Sequence, residues 1–274
     1  MSKASFKFHQ INSSKKIFNK SFIKESSEII FMPGCSLSGY NEELILNIYD
    51  YLKKHIKNIG ITFSCCYRPS LMISDDNSFN KYYKKLNETF INNNIKEIIT
   101  ACPNCYKTVK ANSKNIKVTF LLDVIKEKGI DELLLNHYKD INIKFAIQDS
   151  CAIRGENSIY ESSRFILDSL GIDYVEFEKN RKNSNCCGAI FVDNTKKIGQ
   201  IKRRCSQTNE KHVICYCETC TKSMIEGNKQ SIHILDLIFN KEVINKSYFS
   251  QENQSAIQSW KNRYKLNNRR KYEE

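Results

Sequence analysis

Twelve cysteines stand in a chain of 274 residues, and ten of them obey one rule. Cys35, the adjacent pair Cys65 and Cys66, and the C-x-x-C pair Cys102 and Cys105 form a first set. Cys151, the pair Cys186 and Cys187, and the pair Cys217 and Cys220 form a second set in the same order. The intervals are 29 and 35 residues in the first set and 34 and 29 in the second. Repetition of such an order marks two copies of one unit. A disulfide framework belongs to small secreted domains, whereas clustered cysteines in a reducing cytoplasm bind metal or do redox chemistry. Five thiolates exceed the four ligands that satisfy a structural zinc ion. A multi-iron centre offers separate irons, so it can use adjacent cysteines and a fifth thiolate. An iron–sulfur centre therefore matches each set better, with zinc in one or both sets as the alternative. Thiol–disulfide exchange at "CPNC" and "CETC" would leave the doublets and lone cysteines unexplained.

The elements that must hold these residues can be read from their flanks. "EIIFMPGC", "GITFSCC", "IKEIITACPNC" and "KVTFLLDVI" carry short β-branched or aromatic runs, the first three ending at cysteine. "IKFAIQDSC", "IDYVEFEKN", "KHVICYCETC" and "SIHILDLIF" repeat the series. Helical spacing lies between them: Leu44, Ile48, Leu52 and Ile56 fall four apart ahead of Gly60, and Ile166 and Leu170 precede Gly171. Alternating strands and helices predict an α/β protein of two tandem Rossmann-like domains, related by a pseudo-twofold, each with a small parallel sheet of about four strands. The expected organisation is a basic extension over 1–27, domains over 28–140 and 141–240, and a basic tail over 241–274 in which Ile257, Trp260 and Tyr264 share a helical face. Functional residues of parallel sheets gather beyond the carboxyl ends of strands about 4.8 Å apart, so each quintet can converge there. A doublet serves one centre only where the chain turns, and Gly188 after Cys187 suits such a turn.

The formal charge of +13 is concentrated at the ends, +5 over residues 1–27 and +4 over 241–274. The middle shows no basic, aromatic-interleaved stripe, which argues against specific nucleic-acid binding. The ends read as solvated segments, or as docking elements for an acidic partner or membrane surface. No run of some eighteen apolar residues and no signal-peptide pattern is visible, so a cytoplasmic location is expected. Cys205 and Cys215 lie outside the repeat; Cys215, which alternates with Cys217 on an expected strand, is expected to be a core thiol, and His55 and His233 are expected to be structural.

Taken together, "MPGCSLSGY", "SCC", "ACPNC", "DSCAIRG", "NCCG" and "CETC", spread over residues 28–240, resemble the cysteine-rich CCG domain family, most closely the B subunits of heterodisulfide reductases. The resemblance implies a noncubane 4Fe–4S cluster on Cys35, Cys65, Cys66, Cys102 and Cys105. It implies a second on Cys151, Cys186, Cys187, Cys217 and Cys220, the two facing a shared cleft where a disulfide is reduced. It implies an oxidoreductase passing electrons from a ferredoxin-like or flavoprotein partner to a small disulfide or similar acceptor. No dinucleotide fingerprint or Walker A loop supplies another electron source or a nucleotide site. The first doublet departs from the family motif, with Tyr67 in the glycine position, so the first set is the one expected to hold zinc or nothing if one does. Arg68 and Arg154 follow cluster cysteines by two or three residues and are candidates for binding an anionic substrate group.

Overall fold

The structure, a computed structural model, describes residues 3–240, 243–244, 253–269 and 272. The basic tail read from sequence is thus partly outside the described residues. The chain forms two compact units, one comprising 1–120, 192–194 and 254–274, the other 121–191 and 195–253.

In the first unit five strands, β1 (Ser21–Phe22), β2 (Ile29–Met32), β3 (Gly60–Thr62), β4 (Glu97–Thr100) and β5 (Lys117–Phe120), form a sheet in the order β1-β3-β2-β4-β5. All pairs are parallel except β1 with β3. In the second unit β6 (Phe145–Gln148), β7 (Tyr174–Glu176), β8 (His212–Cys215) and β9 (Gln230–His233) form an all-parallel sheet in the order β7-β6-β8-β9. Setting β1 aside, the two sheets share one topology. All eight expected strands are present. Ile30, Phe31, Met32, Ile98, Phe145, Ala146, Ile147, Val213 and Ile214 are all essentially inaccessible. Consecutive burial of this kind is what a parallel sheet covered on both faces requires.

The α-helices of the first unit, among the described residues, are α1 (Lys3–Ser13), α2 (Cys35–Tyr40), α3 (Glu42–His55), α4 (Arg68–Met72), α5 (Asp76–Asn92) and α6 (Pro103–Asn112), with α12 (Ala256–Asn267) from the far end of the sequence. The second unit holds α7 (Leu121–Lys128), α8 (Asn157–Leu170), α9 (Asn194–Cys205), α10 (Glu218–Glu226) and α11 (Ile234–Phe239). Local chemistry sets their ends. Asn41 caps α3 by accepting from the amides of Glu43 and Leu44, and Gly171 closes α8 at φ 72°. No helix among the described residues is long and apolar enough to cross a membrane.

The N-terminal basic segment and the tail from residue 254 belong to the first unit. Residues 1–27, read as an extension, supply α1 and the antiparallel edge strand β1. Helix α12 packs on α2, and the face it buries most deeply is not the one that Ile257 and Tyr264 share. Asn262, Arg263, Leu266 and Asn267 are buried, whereas Ile257 and Tyr264 are 70% and 50% exposed. Polar side chains turn inward because they find partners there: Asn262 donates to the carbonyls of Gly39 and Tyr40, and Asn267 Oδ1 accepts from the Lys20 amide.

Candidate metal centres

The strand order explains why three loops can share one centre. In each sheet the first strand of the repeat lies between the second and third, so its carboxyl end is a topological switch point flanked by two further loops. Cys35 follows β2, Cys65 and Cys66 follow β3, and Cys102 and Cys105 follow β4. Cys151, Cys186 with Cys187, and Cys217 with Cys220 follow β6, β7 and β8 in the same way. The fourth strand of each repeat, β5 or β9, carries none.

All twelve cysteines are free thiols. Cys35 Sγ lies 3.8 Å from Cys65 Sγ, and sulfur contacts continue from Cys65 to Cys66, Cys66 to Cys105 and Cys105 to Cys102. The second run is Cys151, Cys186, Cys187, Cys220 and Cys217. Position for position the two runs are the same. A proton shared between two neighbouring sulfurs favours the thiolate on one of them. Hydrogen bonds from Cys65 and Cys105 hold Cys35 and Cys66 well below the ordinary thiol range. Cys186 falls to about 3 through Cys151, Cys217 to about 7 through Cys220, and Cys187 rises to about 12 beside Cys186.

The doublet turns are built alike. The Tyr67 amide donates to Cys65 Sγ at 3.3 Å, and the Gly188 amide donates to Cys186 Sγ at 3.3 Å. Tyr67 and Gly188 both have left-handed backbones, φ 56° and 95°. The replacement of glycine by tyrosine therefore leaves the turn intact. The Tyr67 ring stacks on Tyr82 of α5 with centroids 5.2 Å apart. A side chain at Gly188 has no such room, because its Cβ would stand 2.9 Å from Ile201 Cγ1 and 3.0 Å from the Lys197 carbonyl. At Gly34 a Cβ would stand 2.6 Å from Cys102 Cβ, so glycine there lets the β2 loop meet the turn into α6.

Different residues brace the two sites. Asp149, fully buried two residues before Cys151, receives both Nη atoms of Arg164 at 2.6 and 2.8 Å. It also accepts from Tyr216 Oη at 2.9 Å and the Arg181 amide at 2.6 Å. Its carbonyl accepts from Ser184 Oγ at 2.7 Å. One aspartate thus ties together the three loops that carry the second quintet. The corresponding first-site position is Pro33. There the bracing comes from α1 and α12, through Gln10 to Ser70 Oγ, Tyr67 Oη to the Ser13 carbonyl, and Arg263 Nη1 to Ser13 Oγ at 3.1 Å. Each site also has a buried guanidinium: Arg263 with its Cζ 4.3 Å over Trp260, and Arg204 with its Cζ 4.1 Å over Phe177. Their positive charge acts on Cys35 in the first site and on Cys220, Cys215 and Cys187 in the second.

Arg154 Nη2 donates to the Ser184 carbonyl at 2.7 Å, beside Cys186. Arg68 opens α4, with its Nε buried and lacking a hydrogen-bond partner. Cys215 is buried against Ser231 Oγ, and Cys205 lies 3.9 Å from Met224 Sδ, both outside the runs. His55 lies at the end of α3, and His233 caps α11 through Nδ1. Sequence reasoning missed Asp149 and Arg204, whose only signals were a carboxylate just ahead of a repeat cysteine and one arginine in a helix rich in basic residues.

Soft sulfur donors in contact, free of disulfides and accompanied by buried cations, suit a thiophilic metal centre, and five per site suit more than one metal ion. A family model described as a cysteine-rich domain, CCG, matches residues 29–110 and again 145–225, more than half of the chain. The EtfAB:quinone oxidoreductase of Syntrophomonas wolfei is 24% identical over 227 residues, covering 74% of this chain and 31% of that protein. An uncharacterized iron–sulfur protein of Methanococcus maripaludis is 25% identical over 169 residues, 60% of this chain and 33% of that one. Another from Methanocaldococcus jannaschii is 24% identical over 170 residues, with the same coverages. The chain spans about a third of the length of these relatives. Each match to the family model opens on a first repeat strand and closes within the helix after the C-x-x-C pair: the chain belongs to the cysteine-rich CCG domain family and carries the domain twice.

Proposed function

We propose that this chain is an iron–sulfur oxidoreductase subunit of the heterodisulfide reductase B kind, with residues 28–140 and 141–240 as its two domains. Cys35, Cys65, Cys66, Cys102 and Cys105 hold one 4Fe–4S cluster of the noncubane type, and Cys151, Cys186, Cys187, Cys217 and Cys220 hold the other. The observation that carries this reading is the identical order of sulfur contacts in the two quintets. Bound there, the clusters supply one-electron transfer toward a disulfide or similar acceptor, whose reduction to two thiols takes two electrons and two protons. The chain's own work is electrostatic and positional. Arg263 and Arg204 offset thiolate charge in a desolvated site, and helix N-termini at Cys102 and Cys217 add to that. Arg68, with an unpaired buried Nε, is the better placed of the two arginines to meet an anionic substrate group, because one Arg154 Nη is engaged by Ser184.

The electron donor is a partner protein of the ferredoxin or flavoprotein class. The name of the Syntrophomonas relative couples EtfAB to a quinone, which supports a flavoprotein donor and makes a quinone the competing acceptor. Exchange at the C-x-x-C pairs alone is disfavoured, since Cys217 and Cys220 are both buried and engaged within their run. Protein purified without oxygen is expected to be brown, to hold several irons and acid-labile sulfides per chain, and to bleach in air. Cys186→Ser or Cys187→Ser should abolish the second site's spectrum, while Cys205→Ser leaves the spectrum intact. EPR of as-isolated and oxidised protein, with disulfides and quinones added in turn, identifies the acceptor. A colourless, zinc-loaded wild type prepared anaerobically overturns the reading.

A further inference from the structure

Helix α1 places one stripe, Phe6, His9, Gln10 and Ser13, toward the body of the first unit, the i, i+3, i+4, i+7 spacing of a single helix face. Phe6, Gln10 and Ser13 are buried, and His9 is half-buried among them. Its ring rests against Trp260 of α12, with centroids 5.5 Å apart and the planes tilted by 49°. Gln10 on Ser70 Oγ, one residue along, fixes the helix register. The imidazole is therefore held in place by two elements that carry none of the ten repeat cysteines.

Its Nε2 lies 4.0 Å from Cys65 Sγ, which is itself 3.8 Å from Cys35 Sγ. The three donor atoms all lie within 4.8 Å of one another, the one trio of metal-donor side chains so close together among the described residues. A tetrahedral ion at about 2.3 Å from sulfur and about 2.0 Å from nitrogen needs S···S and S···N edges of about 3.8 and about 3.5 Å. The observed sulfur edge already has that length, and the nitrogen must close on Cys65 by about half an ångström. A hydrogen bond would need His9 near one sulfur only, whereas here it lies beside two sulfurs that come from different strands.

We propose that His9 Nε2 is a metal ligand of the first site, on the same ion as Cys35 and Cys65. This rests on the reading of the quintets as metal centres and deepens it. The first site becomes a mixed nitrogen–sulfur centre, and the second keeps a sulfur-only protein shell. A neutral imidazole brings no negative charge to that ion where a further thiolate would, which favours the reduced state of an iron centre relative to a sulfur-only shell. It further makes α1 part of the site, so metal occupancy and docking of this helix are linked.

The test uses full-length protein purified anaerobically from cells fed 15N-histidine, read by nitrogen hyperfine spectroscopy of its paramagnetic forms and by iron and zinc K-edge X-ray absorption. The expected result is a strongly coupled histidine nitrogen, or for zinc an imidazole scattering pattern, lost in His9→Gln and kept in His55→Gln. His9→Cys should retain the metal without the nitrogen signal, which separates ligation from folding of α1. A sulfur-only metal shell in wild type, with the first-site metal still removed by Cys35→Ser, overturns the His9 assignment and leaves the metal centre standing. Iron and zinc contents unchanged by Cys35→Ser overturn both.

Discussion

Tyr67 and Gly188 occupy the same place in the two doublet turns, yet only one of them could change. A left-handed backbone costs a non-glycine residue roughly 1–2 kcal/mol. Loss of a buried aromatic side chain costs about 3–5 kcal/mol. Tyr67→Gly should therefore lower stability by about 2 kcal/mol, read as a drop in melting temperature, with first-site metal retained. Gly188→Ala, strained at φ 95° and pressed on Ile201, should lose the second-site metal under the same conditions. His233 offers a test in pH. Burial holds it neutral down to about 3, whereas the unfolded chain protonates it near 6.5. The unfolded state thus binds more protons between those values, and stability falls as pH drops from 6.5, by about 1.4 kcal/mol per unit. His233→Asn keeps a cap for the Leu235 amide and removes this slope. Relative to its standing at pH 7 it should gain about 3 kcal/mol on wild type by pH 4 in denaturant titrations. The ten repeat cysteines were legible because their spacing repeats. His9 was not, since its stripe of Phe6, Gln10 and Ser13 is mostly polar and carries no apolar periodicity.

At the level of elements, strands ending at cysteine could be read directly, because parallel strands buried on both faces leave continuous apolar runs such as "EIIFM" and "KFAI". Bracing between loops could not, because it depends on residues far apart in sequence. Asp149 is the clearest case, as its partners lie on α8, beside the second doublet and after β8. Asp149→Asn leaves the partly exposed Glu176 as the carboxylate that pairs with Arg164 and loosens all three cysteine loops. Breaking a buried ion pair typically costs about 3–5 kcal/mol. Metal analysis should show the second site emptied and the first site filled, because the first site has no counterpart of this aspartate. The basic ends misled for a related reason. Charge density suggested solvent, but Arg263 is 2% exposed and spends its charge on Trp260, Ser13 and the neighbourhood of Cys35.

For the molecule as a whole, the composition of the two compact units matters more than their similarity. The second is nearly continuous in sequence, whereas the first is assembled from three separate pieces. A chain ending before Gln254 should show faster amide exchange over residues 3–120 and unchanged protection over 145–239, measured peptide by peptide in mass spectrometry. The bond from the Lys20 amide to Asn267 Oδ1 spans 247 positions. On a ribosome, residues 1–120 are made first but must wait for α12, translated after everything in the second unit. The earlier-made half is the later-finished one, and its thiols stay open to oxidants and stray metals throughout that delay.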